Sequence, residues 1–167
     1  MNVRLGSTSI RLPRYLLLWS AVVLVFAVQH SLSDGLHGDS WPFLVHLRWA
    51  MIQWLTWAAL APLVFRLAER YPIDPTRRLL GLGRQILASL AVTFGAMLIG
   101  ALASTLFEPS GFLEQLGYFL AQHFAIGLLT YWALFALQQA LHFQAEKARR
   151  EMEASRLATE LAQSRLL

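Results

Sequence analysis

The chain has 167 residues, of which 56% are hydrophobic and only 14% charged. Soluble domains carry about 25% charged residues, and here the apolar residues are gathered into long blocks, so lipid rather than water is the solvent they are built for. Absence of cysteine excludes disulfides, thiolate metal sites and a cysteine nucleophile, while leaving the redox compartment open. A net charge of +4 invites a nucleic-acid reading, but the placement of the basic residues, taken up below, assigns them to membrane orientation and excludes that partner.

Residues 1–14 form a short basic segment carrying Arg4, Arg11 and Arg14. A first span is expected over about 15–32. Its strongly apolar part follows a basic stretch, as in a signal peptide. No small-x-small cleavage pattern follows Val28, however, and Arg14 and Tyr15 suit the anchoring of a short helix, so the helix is read as retained. Beyond it, His30, Asp34 and His37 are spaced i, i+4 and i+7. On a helix they would share one side and, with Asp39 and His46, suggest an outward metal or proton sensor. Gly35 and Gly38 interrupt such a helix, so a polar loop is the expectation.

The second span is expected over about 44–66. Arg48 sits one and a half turns inside it and is the only basic residue on that side. Its stem can snorkel to the surface, where Asp39, Glu108 or Glu114 would pair with it; the alternative is contact with an anion or a lipid headgroup. Trp41, Trp49, Trp54 and Trp57 crowd this region. They are read as belt and packing residues rather than as a ligand cage. Gln53 lies deeper.

The third span, about 85–107, carries Ala96, Gly100 and Ser104 at intervals of four. Lipid supplies no hydrophobic drive for helices to associate, so small residues that allow close approach do much of that work. Packing within the chain is expected of this stripe, ahead of a dimer seam. The fourth span, about 115–141, holds the neighbours Gln122 and His123. An unpaired amide or imidazole in hydrocarbon is costly, so these two and Gln53 are expected to bond to one another or to a carbonyl. Such a bond contributes about 0.6–2 kcal/mol.

No glycine or proline occurs after Gly127. Residues 142–167 turn from apolar to densely charged while keeping a helix-forming composition, with oppositely charged i, i+4 pairs Glu146/Arg150, Lys147/Glu151, Arg149/Glu153 and Arg156/Glu160. The forty residues from Leu128 onward, at about 1.5 Å each, predict a rod of ~60 Å that leaves the membrane without a hinge. Two thin apolar registers compete along it, one through Ala148, Met152 and Ser155, the other through Ala154, Leu157 and Leu161. Near-equal registers suit a transmitter that changes packing. The rod stops at Leu166 and Leu167 without a cap or turn, as though what it serves lay beyond.

Thirteen of the fourteen Lys and Arg fall in 1–14, 66–84 or after 146, whereas the intervening loops 29–43 and 108–114 hold Asp34, Asp39, Glu108 and Glu114 and none. By the positive-inside rule both termini are cytoplasmic. The expected fold is therefore all-α, an antiparallel four-helix membrane bundle whose fourth helix continues into a cytoplasmic signalling helix. Glycine-rich phosphate loops, nucleophile elbows and paired intramembrane carboxylates are all missing from the sequence, so no catalysis is expected of these residues alone.

The segment Arg156-Leu157-Ala158-Thr159-Glu160-Leu161-Ala162-Gln163-Ser164-Arg165-Leu166 resembles the linker of bacterial membrane sensor histidine kinases of the LytS and AlgZ type. In that family the linker leads into a Pro-His-Phe-Leu-Phe-Asn phosphoacceptor box and an ATP-binding domain. His142 lacks the flanking proline and asparagine and does not match that box. The resemblance implies the amino-terminal sensory part of a homodimeric kinase in the inner membrane. ATP, magnesium and a response regulator would belong to its kinase core. A small four-span transporter or channel, lined by Arg48, Gln53, Gln122 and His123, and a non-catalytic membrane scaffold are the alternatives.

Overall fold

The computed structural model describes residues 2–5, 8–38, 41–71 and 78–164. Two short strands, β1 (Asn2–Leu5) and β2 (Thr8–Arg11), precede four helices: α1 (Leu12–His37), α2 (Phe43–Arg70), α3 (Arg78–Ser104) and α4 (Phe112–Ser164). All four helices are long and apolar enough to cross a membrane. From composition alone residues 1–14 are a plain basic segment. Instead β1 and β2 pair antiparallel, Val3 opposite Ile10 and Leu5 opposite Thr8, and Leu5 joins Tyr15, Ala58 and Phe65 in a small apolar cluster. The Tyr15 hydroxyl donates to the Ala58 carbonyl, fastening the start of α1 to α2.

Helix α1 starts with a proline in its first turn and passes straight through Gly35. The loop expected around residues 30–37 is thus corrected: a lone glycine costs a helix only about 1 kcal/mol, too little to stop one already carried by packing. The stop comes at Gly38, whose φ of 86° is the left-handed cap geometry and whose N–H bonds the Asp34 carbonyl. Pro62 lies inside α2 without ending it, as membrane helices tolerate. Helix α4 runs unbroken for 53 residues, so the span and the charged stretch beyond it are one helix through Ser164. Arg150 with Glu146, Arg149 with Glu153 at 3.0 Å and Lys147 with Glu151 at 3.9 Å line its exposed flank.

Backbone packing is uneven, and that unevenness positions the site. Helix α3 lies along α4, and α2 touches α1, α3 and α4, but among the described residues the backbone of α1 comes close to α2 and the hairpin alone. The shared interior holds Val23, Ala27, Trp54, Trp57, Val64 and Tyr131, while Leu17, Leu87, Leu102 and Leu129 stand exposed on the outside as lipid-facing residues would. Small residues bring α3 onto α4. A methyl built on Gly100 would lie 2.6 Å from the Phe119 ring, and one on Gly127 would lie 2.7 Å from Thr93 Cγ2.

Candidate functional site: a polar cavity at one end of the helices

Because α1 leans on α2 and not on α4, a gap opens between α1 and α4 at the end where α1 stops, α2 begins, α3 ends and α4 begins. It encloses about 730 Å³, within the range of small-molecule pockets. Helix α1 contributes His30 and Asp34, and α2 contributes His46, Arg48, Trp49 and Gln53. From the α3–α4 connection and the first turns of α4 come Phe107, Glu108, Glu114, Gln115, Tyr118 and His123. Trp41 flanks the mouth from the segment before α2 and is 63% exposed.

Polar contacts at three places border the cavity. The Arg48 guanidinium donates to Glu108 and forms an ion pair with it, tying the first turns of α2 to the α3–α4 connection. That guanidinium also sits 5.5 Å from the Phe107 ring centre and 5.9 Å from that of Trp49, within cation–π range. His46 Nε2 lies 3.5 Å from Asp34 Oδ2, bringing α2 and α1 side by side without a hydrogen bond between the two side chains. The Ser104 hydroxyl, buried, lies 2.8 Å from the Ala101 carbonyl and 3.1 Å from Gln115 Oε1, and Gln115 Nε2 donates to the Ser110 hydroxyl. That relay settles the turn from α3 into α4.

His30, Asp34, Arg48, Gln53 and His123, singled out in the sequence, thus meet here together with His46, Glu108 and Glu114. Two others do not. Gln122 is exposed on another flank of α4, since consecutive residues on a helix point about 100° apart, so the expected Gln122–His123 bond is replaced by separation. His123 packs its ring 5.2 Å from that of Phe119 and leaves Nδ1 buried without a hydrogen bond. His37 turns away, its Nδ1 2.7 Å from the Ser33 carbonyl. Asp39, weighed as a partner for Arg48, lies outside the described residues. Among the described residues no three His, Asp or Glu side chains converge closely enough to hold a metal ion.

The tryptophans divide. Trp41 and Trp49 border the cavity, whereas Trp54 stacks on Phe26 at 4.2 Å and Trp57 is 1% exposed in the interior. Ala96 and Gly100 face α4, and Ser104 ends the same stripe bonded to Gln115 of the cavity lining.

A second polar cluster, unmarked in the sequence reading, lies toward the opposite end. Gln85, fully buried, donates from Nε2 to the Tyr71 carbonyl at 2.9 Å and accepts from the Tyr131 hydroxyl at 2.7 Å. One side chain of α3 thereby closes the end of α2 and holds the middle of α4. Its position directly after Arg84 marked only a span boundary in the sequence. No protein-family model, curated protein or solved structure matches the chain.

Proposed function

We propose that the chain is the membrane-embedded input region of a sensor histidine kinase of the LytS and AlgZ type. In this reading the helices form an antiparallel four-helix bundle in a bacterial inner membrane, with both termini cytoplasmic and the cavity opening outward. The signalling helices of two copies pair, and a kinase core that uses ATP and magnesium phosphorylates a response regulator. The observation that carries the reading is that one helix does both jobs. Glu114, Tyr118 and His123 of α4 wall the cavity, and the same helix continues without a break to Ser164. A change of tilt or rotation at the cavity therefore reaches the far end with little loss, because no glycine or proline intervenes after Gly127.

The transporter alternative is less well supported. Among the described residues the interior inward of the cavity is packed by Trp57, Met97 and Tyr131, each 2% exposed or less, which sets bulky side chains across a path from the cavity to the far end.

The test uses the full protein in native membranes and needs no known stimulus. Arg48→Ala removes the Arg48–Glu108 tie at the cavity and is expected to change autophosphorylation at least threefold. Inserting two glycines after Ala145 should erase that change while leaving basal phosphorylation measurable. If Arg48→Ala shifts activity equally with and without the insertion, or if no histidine phosphorylation accompanies the protein, the reading is wrong.

A further inference from the structure

The cavity holds more negative than permanent positive charge. It is bordered by three carboxylates, Asp34, Glu108 and Glu114, against one guanidinium, Arg48. Glu108 is already paired with that guanidinium. Among the described residues the one ionisable partner of the Asp34 carboxylate within 4 Å is an imidazole, the Nε2 of His46 at 3.5 Å. Among the described residues the Glu114 carboxylate has no hydrogen bond or ion pair. With neutral imidazoles the lining therefore carries two uncompensated negative charges next to low-dielectric surroundings, where their pull on a cation is stronger than in bulk water.

The rest of the lining selects the kind of cation. A metal ion is poorly served, since no three ligating side chains converge among the described residues. An anion is less well served, because the Arg48 guanidinium is ion-paired with Glu108 and offers only its buried Nε without a hydrogen bond, in a lining that also holds three carboxylates. Aromatic rings, by contrast, are abundant, and the cavity already stabilises one organic cation on them, the Arg48 guanidinium over Trp49 and Phe107. Trp41 and Tyr118 also line the cavity and are 63% and 48% exposed. Rings beside carboxylates are the combination that recognises alkylated ammonium groups.

We propose that the cavity binds a small organic ammonium ion, with Glu114 and Asp34 balancing its charge and Trp41 and Tyr118 covering its carbon substituents. The ammonium can arrive as a soluble amine or as the headgroup of a phospholipid, because the chemistry recognised is the same. The proposal deepens the sensory reading and rests on it for its meaning to the cell, but binding is measurable without any kinase. A failure of one therefore leaves the other standing or falling on its own result.

The experiment places the full chain in nanodiscs of phosphatidylglycerol, which carries no ammonium, and titrates radiolabelled choline at constant ionic strength. Saturable binding of one choline per chain is expected, competed by tetramethylammonium and not by acetate or zinc. Glu114→Gln and, separately, Trp41→Ala should each weaken it at least tenfold, and Glu114→Asp should restore most of it; both sites are exposed, and retained helical circular dichroism checks the fold. Repeating the titration in phosphatidylethanolamine identifies the source: loss of choline binding there assigns the site to the lipid headgroup, and unchanged binding assigns it to a soluble amine. Non-saturable binding, displacement by zinc or acetate, or binding indifferent to both Glu114→Gln and Trp41→Ala overturns the proposal.

Discussion

Gly100 is the position where a single added methyl should be most informative. The atom it would meet, Cε1 of Phe119, belongs to a ring that is 2% exposed and wedged between Trp49 at 6.1 Å and His123 at 5.2 Å, so the ring has nowhere to swing. Overpacking of a closed site costs about 1–3 kcal/mol. Gly100→Ala is thus expected to lower the thermal midpoint in detergent, and Phe119→Leu should recover part of the loss by removing the clashing edge. Gly95→Ala is the control, since nothing lies within 4 Å of a methyl there, and it should be neutral or slightly stabilising. The four-residue stripe made Gly100 visible in the sequence. Gly127 was visible only as the last glycine before the rod, because its need for closeness comes from Thr93 on another helix, and a sequence does not say which helix is the neighbour. The same limit hid the separation of Gln122 from His123: both are polar, and only the packing of α4 shows which one faces inward.

Elements are tied at their ends by few polar bonds, which makes those bonds separable by mutation. Tyr131→Phe removes the hydroxyl that Gln85 Oε1 accepts from and strands that oxygen at a fully buried site. The expected cost is about 0.6–1.7 kcal/mol, the range of an interhelical hydrogen bond in a membrane protein. Gln85→Leu should cost more, because it also releases the Tyr71 carbonyl at the end of α2. Tyr131→Phe added to Gln85→Leu should then cost little, since the shared bond is already gone. Unfolding in mixed detergent micelles measures all three, and additive costs would show that the two side chains do not act through one bond. At this scale the four helices were legible from apolar blocks of spanning length, and the unbroken α4 from the run without glycine or proline. The hairpin was not, although Val3, Leu5 and Ile10 alternate around Gly6-Ser7 in the pattern of one. Two isolated strands are marginal; this pair persists because its apolar side rests on Phe65 and Leu134, far away in the chain. Gly35 misled in the opposite direction, since its local cost was outweighed by the packing of α1 on α2.

At the level of the whole molecule, charge and geometry bear on one another. The cavity was not legible as a unit: its walls come from the end of α1, the start of α2, the α3–α4 connection and the start of α4, and only the unequal packing of α1 leaves the space between them. What the sequence did place is the excess of Lys and Arg in the segments at the hairpin end and beyond the fourth span, against their near absence around the cavity. If that excess orients the protein, the cavity end faces outward and the hairpin and rod face the cytoplasm. The chain contains no cysteine, so single introduced thiols report orientation without background. Leu36 and Leu113 are 87% and 80% exposed at the cavity end, and Ser9 and Ala154 are exposed on the hairpin and the rod. Leu36→Cys and Leu113→Cys should react with a membrane-impermeant maleimide in intact spheroplasts, whereas Ser9→Cys and Ala154→Cys should react only after permeabilisation. Labelling of all four from one side would mean that the helices do not cross the bilayer as a set. A reversed pattern would put the cavity in the cytoplasm and the rod outside, where it could not drive a cytoplasmic kinase, and both the orientation and the sensory reading would fall together.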